Sequence, residues 1–184
     1  MSPEEELRRP IYLVGFRGAG KTSVARLIAE KLSRQWIDAD AEAEKCAGCT
    51  ITEMFQREGE QSFRDLEVDV LRRLARTQDA VISTGGGVVL RQENRRTLKE
   101  TGFVAWLKAS PETIHARLEK DPTSASSRPT LTGRPLGEEI RCLLDERDPY
   151  YRDVSDVEVD TDGLDPAAVA DRVIDAFSRT AAAQ

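Results

Sequence analysis

The sequence predicts a three-layer α/β/α domain around a parallel sheet of about five strands. Three observations carry that prediction. First, short apolar runs alternate with stretches whose apolar residues recur at helical spacing; the clearest are Ile11–Val14, Ala80–Ser83 and Phe103–Leu107. Second, Gly15-Phe16-Arg17-Gly18-Ala19-Gly20-Lys21-Thr22 stands between one such run and one such helix. Gly, four residues, then Gly-Lys-Thr is the phosphate-cradling loop of nucleotide-binding proteins, and strand, loop, helix is the setting it needs. Third, Asp38 and Gly85-Gly86-Gly87 also follow directly on predicted strands. The three segments therefore converge at the carboxyl edge of the sheet, where ligands of open α/β sheets bind.

Residues 1–9 read as a polar, loose tail. After the first strand and its loop, a helix runs to about Ser33, with Ser23 in its first turn. Trp36-Ile37 is the visible end of a short second strand, closed by Asp38-Ala39-Asp40. A short charged helix follows over Ala41–Ala47, ended by Gly48. Thr50 and Glu53 have the spacing of a capping box, and Gly59 breaks the helix they start. Glu60–Arg76 is a longer amphipathic helix leading to the third strand and the triple glycine. Beyond the fourth strand, Ser110-Pro111-Glu112 starts a helix that carries Arg117. Asp121–Leu136 is rich in Ser, Thr, Pro, Gly and Arg and has the composition of a lid. A helix over Glu138–Asp148, a final strand within Val154–Thr161 and a helix opened by Asp165-Pro166 complete the chain.

The 184 residues suit one domain, and a formal net charge of −6 disfavours nucleic acid and anionic membranes as partners. No apolar run approaches membrane-spanning length and the first residues lack a signal-peptide core, so a cytoplasmic monomer is expected. Three cysteines do not suggest a disulfide framework; Cys46 and Cys49 have C-x-x-C spacing without a second pair, which leaves a zinc site unsupported. His115, the single histidine, reads as an ordinary helix residue.

The motif fixes a phosphate site but not the reaction. No Asn-Lys-x-Asp segment is present to read guanine, and the strand Ala80–Ser83 ends without the acidic residue of motor and helicase ATPases. Asp38 and Asp40 are the carboxylates placed to meet a metal and an acceptor together. They also suit the cap of the next helix. If the stretch is still extended there, both project to one side. Small size and an arginine-rich lid then point to a small-molecule kinase.

The loop, Trp36-Ile37-Asp38-Ala39-Asp40, Phe63-Arg64-Asp65-Leu66-Glu67, Gly85-Gly86-Gly87, Arg128-Pro129 and Glu146-Arg147-Asp148-Pro149-Tyr150-Tyr151 occur in an order that resembles the shikimate kinases. The resemblance covers roughly residues 10–178 and implies an adenylate kinase-like fold. It implies transfer of phosphate from ATP to the 3-hydroxyl of shikimate, on the way to chorismate. One domain over residues 1–184 would carry a substrate-binding region at about 39–77 and a lid at about 121–136.

By position, the resemblance gives Lys21 and Thr22 to the phosphates and Mg²⁺, with Gly18, Ala19, Gly20 and Ser23 completing the nucleotide loop. Asp38 lies near the metal and the reacting hydroxyl. Asp40 takes the acceptor's other hydroxyls. Arg64 and Arg147 hold its carboxylate, with Gly85, Gly86 and Gly87 closing over it. Arg128 enters from the lid, and Arg117 and Pro166 flank the adenine. Arg134, which opens a second Arg-Pro in the same lid, is the alternative to Arg128 for that role. Arg17 either adds to the phosphate field or points to solvent. A kinase for another hydroxy acid, such as gluconate, and a nucleotide-binding module without turnover are the competing readings.

Overall fold

The computed structural model describes residues 3–120 and 135–182. Five strands, β1 (Ile11–Val14), β2 (Gln35–Asp38), β3 (Ala80–Ser83), β4 (Phe103–Lys108) and β5 (Val157–Asp160), form one parallel sheet in the order β2-β3-β1-β4-β5. The register pairs Leu13 with Ser83 and with Ala105, and Asp38 with Ser83. Because strand side chains alternate, each central strand feeds both layers. Tyr12, Val14, Ile82, Val104 and Trp106 pack on one face, and Ile11, Leu13, Val81, Ala105 and Leu107 on the other.

The helices are α1 (Pro3–Glu6), α2 (Lys21–Leu32), α3 (Ala39–Ala47), α4 (Ile51–Leu74), α5 (Gln92–Thr101), α6 (Pro111–Lys120), α7 (Leu136–Val154) and α8 (Pro166–Ala182). The first face is covered by α4, α5 and the end of α7, and the second by α2 and α8. A third cluster joins Phe16 of the glycine loop to Ile114 and Leu118 of α6 and Ile140 and Leu143 of α7. It seats the loop on two helices. No helix among the described residues is long and apolar enough to cross a membrane.

The predicted architecture and the five strands stand. The Thr50–Glu53 capping box forms, and Gly59 breaks α4 with φ 84°. Three local expectations change. The N-terminal residues are tied down: Glu6 is buried and ion-paired with Arg9, Arg9 donates to Gly102 O, and the Arg34 guanidinium donates to Arg9 O. Helix α3 starts at Ala39, earlier than expected, because the Asp38 carboxylate accepts from the N–H groups of Asp40 and Ala41. Asp40 is thus helical rather than in line with Asp38 along a strand. Helix α7 runs past Asp148 and through Pro149 to Val154.

Candidate active site

β1 is the strand from which the chain order runs in both directions, so its carboxyl end opens into the crevice between β3 and β4. The glycine loop fills that position. Gly15 has φ 139°, and a Cβ there would lie 2.4 Å from Leu107 O. Gly18 and Gly20 also have positive φ, and Gly20 is the N-cap of α2 without any capping side chain. The first amides of α2 are thereby left for a ligand anion. Lys21 is buried and folds back, its Nζ donating to Gly15 O at 2.7 Å and Phe16 O at 2.9 Å. Thr22 and Ser23 are exposed on the first turn of α2. Arg117 crosses from α6 and donates to Gly18 O, Thr161 Oγ1 and Thr161 O. Pro166 is exposed at the start of α8, so it stands at the same sheet edge as Thr161.

Beside the loop lies the triple-glycine turn. Thr84 anchors it, with backbone N–H and Oγ1 both donating to Leu13 O. A Cβ on Gly86 would come within 3.2 Å of Arg17 N, so the two turns are in close contact. Space around the other two glycines belongs to charged side chains. A Cβ on Gly85 would lie 2.6 Å from Asp40 Oδ1 and 3.0 Å from Glu67 Oε1; one on Gly87 would lie 2.4 Å from both terminal nitrogens of Arg64.

Arg64 is 7% exposed and Arg147 6%. Arg64 donates to Glu67 Oε2 at 2.9 Å and to Glu60 Oε1 at 3.0 Å. Burial alone would depress its guanidinium, but the two carboxylates outweigh burial and hold it above its ordinary value. Arg147 donates to Gly86 O at 3.3 Å, lies 5.7 Å from the Phe16 ring centre, and keeps a buried Nε without a hydrogen-bond partner among the described residues. Tyr151, wholly buried and stacked on Trp106, donates its hydroxyl to Gly86 O. Burial pushes that phenol upward, so it stays a neutral donor.

Asp38 closes the site on the β2 side. Its Oδ1 accepts from Asp40 N and Ala41 N at 3.0 and 3.2 Å, and its Oδ2 accepts from Ser83 Oγ at 3.3 Å. It caps α3 and stands at the carboxyl end of β2, beside the end of β3. The Arg17 side chain is largely withdrawn from solvent, 20% exposed. It pairs with the wholly buried Glu139 of α7 at 3.5 Å.

The structure therefore brings together Lys21, Asp38, Asp40, Arg64, Gly85, Gly86, Gly87 and Arg147. Arg117 and Pro166 lie to the β5 side. Arg128 and Arg134 fall outside the described residues. Glu60, Glu139 and Thr161 carry no sequence signal, and Glu67 and Tyr151 stand in the quoted motifs without an assigned role. Glu60, Arg64 and Glu67 have i,i+4 and i,i+3 spacing, which on its own is the signature of a solvated helix face.

Comparisons with known proteins agree with this geometry. A family model described as shikimate kinase matches residues 17–178. The shikimate kinase of Symbiobacterium thermophilum is 46% identical over 153 residues, covering 83% of this chain and 86% of that one. The shikimate kinase of Rhodopirellula baltica is 39% identical over 161 residues, covering 88% and 86%. The structure of the Acinetobacter baumannii shikimate kinase in complex with shikimate superposes with a TM-score of 0.89 at 36% identity, covering 98% of both chains. On sequence and on fold alike, this chain belongs to the shikimate kinase family.

Proposed function

We propose that this chain transfers the γ-phosphoryl group of ATP to the 3-hydroxyl of shikimate, with Mg²⁺, on the way to chorismate and the aromatic amino acids. The observation that carries the reading is the pair Arg64 and Arg147. Both are buried cations, both close on the triple-glycine turn, and that turn touches the phosphate loop. A guanidinium binds a carboxylate through a two-pronged fork. The Nε of Arg147, without a hydrogen-bond partner among the described residues, keeps donor capacity for such a ligand.

In this reading the backbone of Gly18, Ala19, Gly20 and Ser23 wraps the phosphates. Lys21 exchanges the carbonyls of Gly15 and Phe16 for phosphate oxygens. Phosphoryl transfer asks mainly for positioning and charge stabilisation, which Lys21 and the lid residue Arg128 supply. Asp38 faces the acceptor hydroxyl, as base or as the residue that orders the metal site, and Asp40 takes the acceptor's other hydroxyls. Arg117 and Pro166 hold the adenine. The substrate region is about 39–77 and the lid about 121–136.

The donor set fits Mg²⁺. Thr22 hydroxyl and Asp38 carboxylate are hard oxygens, and no group of three or more His, Cys, Asp or Glu among the described residues forms a protein cage for a metal. That suits an ion which retains waters and binds through few protein ligands plus phosphates. When bound, Mg²⁺ would be held by Thr22 and Asp38 and would supply charge neutralisation for the transferred phosphoryl group. The acidic charge balance supports small-molecule substrates rather than nucleic acid or membrane as partners, and we take the enzyme to be a cytoplasmic monomer.

The test is a coupled ADP-release assay with Mg·ATP and shikimate, gluconate or quinate. Release with shikimate alone is expected. Equal or faster release with gluconate would overturn the assignment.

A further inference from the structure

Arg17 sits inside the phosphate loop, yet its side chain is committed elsewhere. Its guanidinium lies 3.5 Å from Glu139 Oε1, and Glu139 is 0% exposed on the first turn of α7. A carboxylate that deep needs a cation beside it. Arg147 is carried by the same helix about two turns further on. The preceding loop residue, Phe16, packs on Ile140 and Leu143 of α7 and lies under the Arg147 guanidinium. The Arg17 amide borders Gly86, whose carbonyl receives Arg147. The loop therefore grips α7 at its start through an ion pair and further along through an apolar contact, and both grips bear on the placement of Arg147.

We propose that Arg17 is a positioning residue for the acidic substrate rather than a phosphate ligand: through Glu139 it fixes α7, and with it Arg147, against the triple-glycine turn. The proposal rests on the reading of Arg147 as a receptor for the shikimate carboxylate. It makes an unusual demand. A substitution inside the nucleotide loop should be felt by the other substrate.

Steady-state kinetics on Arg17→Met, Arg17→Lys, Glu139→Gln and the double variant Arg17→Met/Glu139→Gln test it, with each substrate varied in turn. Arg17→Met and Glu139→Gln are each expected to raise KM for shikimate on the order of tenfold, with KM for ATP within about twofold of the parent. The double variant should be no worse than the worse single, because both changes break the same ion pair. Arg17→Lys keeps the cation and should recover most of the loss. If Glu139→Gln does not fold, Arg17→Met and the double variant, which strands no buried charge, carry the same comparison. An Arg17→Met enzyme that loses ATP affinity or kcat while Glu139→Gln does not would make Arg17 a phosphate ligand and overturn the proposal. So would an unchanged KM for shikimate in Arg17→Met. The parent enzyme separates this from the functional reading: no turnover of shikimate by the parent overturns both, whereas parent turnover with an indifferent Arg17→Met overturns the positioning role alone.

Discussion

The two halves of the proposed site, one for the nucleotide and one for the acid, are built of different materials. On the nucleotide side the walls are backbone: Gly15, Gly18 and Gly20 at positive φ, uncapped amides at the start of α2, and a single lysine parked on loop carbonyls. On the acid side the walls are side chains: two buried guanidiniums held by Glu67, Glu60 and the Gly86 carbonyl. A backbone wall is set by local conformation and survives most side-chain changes except at its glycines. A side-chain wall is preorganised by its counter-charges and can be retuned one residue at a time.

The sharpest way to test that division is at the seam, with the two aspartates. Asn at position 38 keeps an oxygen to cap α3, so the fold should tolerate it. Under the proposed function it removes the charge beside the reacting hydroxyl, and kcat should fall by about 10²–10⁴-fold. Asp40→Asn should instead raise KM for shikimate and leave ATP nearly untouched. Matching kinetic profiles for the two variants would erase the distinction.

Next in size are the arginines. Arg147→Ala or Arg64→Ala should raise KM for shikimate on the order of 10²-fold while ATP affinity, read by calorimetry, changes little. An equal loss of both ligands would mean that the acid wall also shapes the nucleotide pocket.

The glycines separate the two materials directly. Alanine at Gly15 meets a backbone oxygen of β4 and a φ that L-residues avoid, so about 2–3 kcal/mol of stability should disappear in denaturant unfolding. Alanine at Gly87 has an ordinary φ of −101°, and the nearest atoms its Cβ meets are those of the Arg64 guanidinium, the end of a long side chain. It should leave the melting transition nearly intact and raise KM for shikimate on the order of tenfold by displacing that group. Loss of stability in both variants would show that the acid wall is as rigid as the nucleotide wall.

The same contrast explains what was legible in the sequence. The phosphate loop was, because its letters, its strand and its helix are contiguous. Asp38 and the triple glycine were, because a strand end places them without further information. The counter-ions were not. Glu60 and Glu67 flank Arg64 at ordinary helix spacing, and only the packing of α4 beneath the glycine turn buries Arg64 and Glu67. Glu139 is drawn in by Arg17, more than a hundred positions earlier in the chain. The N-terminal residues looked loose for the same reason: Arg9 and Arg34 tie them to carbonyls that no local pattern reveals.

The smallest effect has the opposite sign. Glu67 and Glu60 both hold Arg64, but their surroundings differ: the Glu67 side chain is 8% exposed and that of Glu60 50%. The buried partner belongs to the wall. The exposed one competes for the Arg64 guanidinium from the solvent side, and under the proposed function it would give up its share when the substrate carboxylate binds. An ion pair with one partner in water is worth about 0–1 kcal/mol, so Glu60 should yield easily, at a small cost to binding. Glu60→Gln removes that competitor and keeps the side-chain length. KM for shikimate is expected to fall by about two- to threefold, with kcat and ATP unchanged. Glu67→Gln should move the other way, since it loosens the buried pair that orients Arg64. A rise in KM for Glu60→Gln would place Glu60 among the residues that build the wall rather than those that guard it.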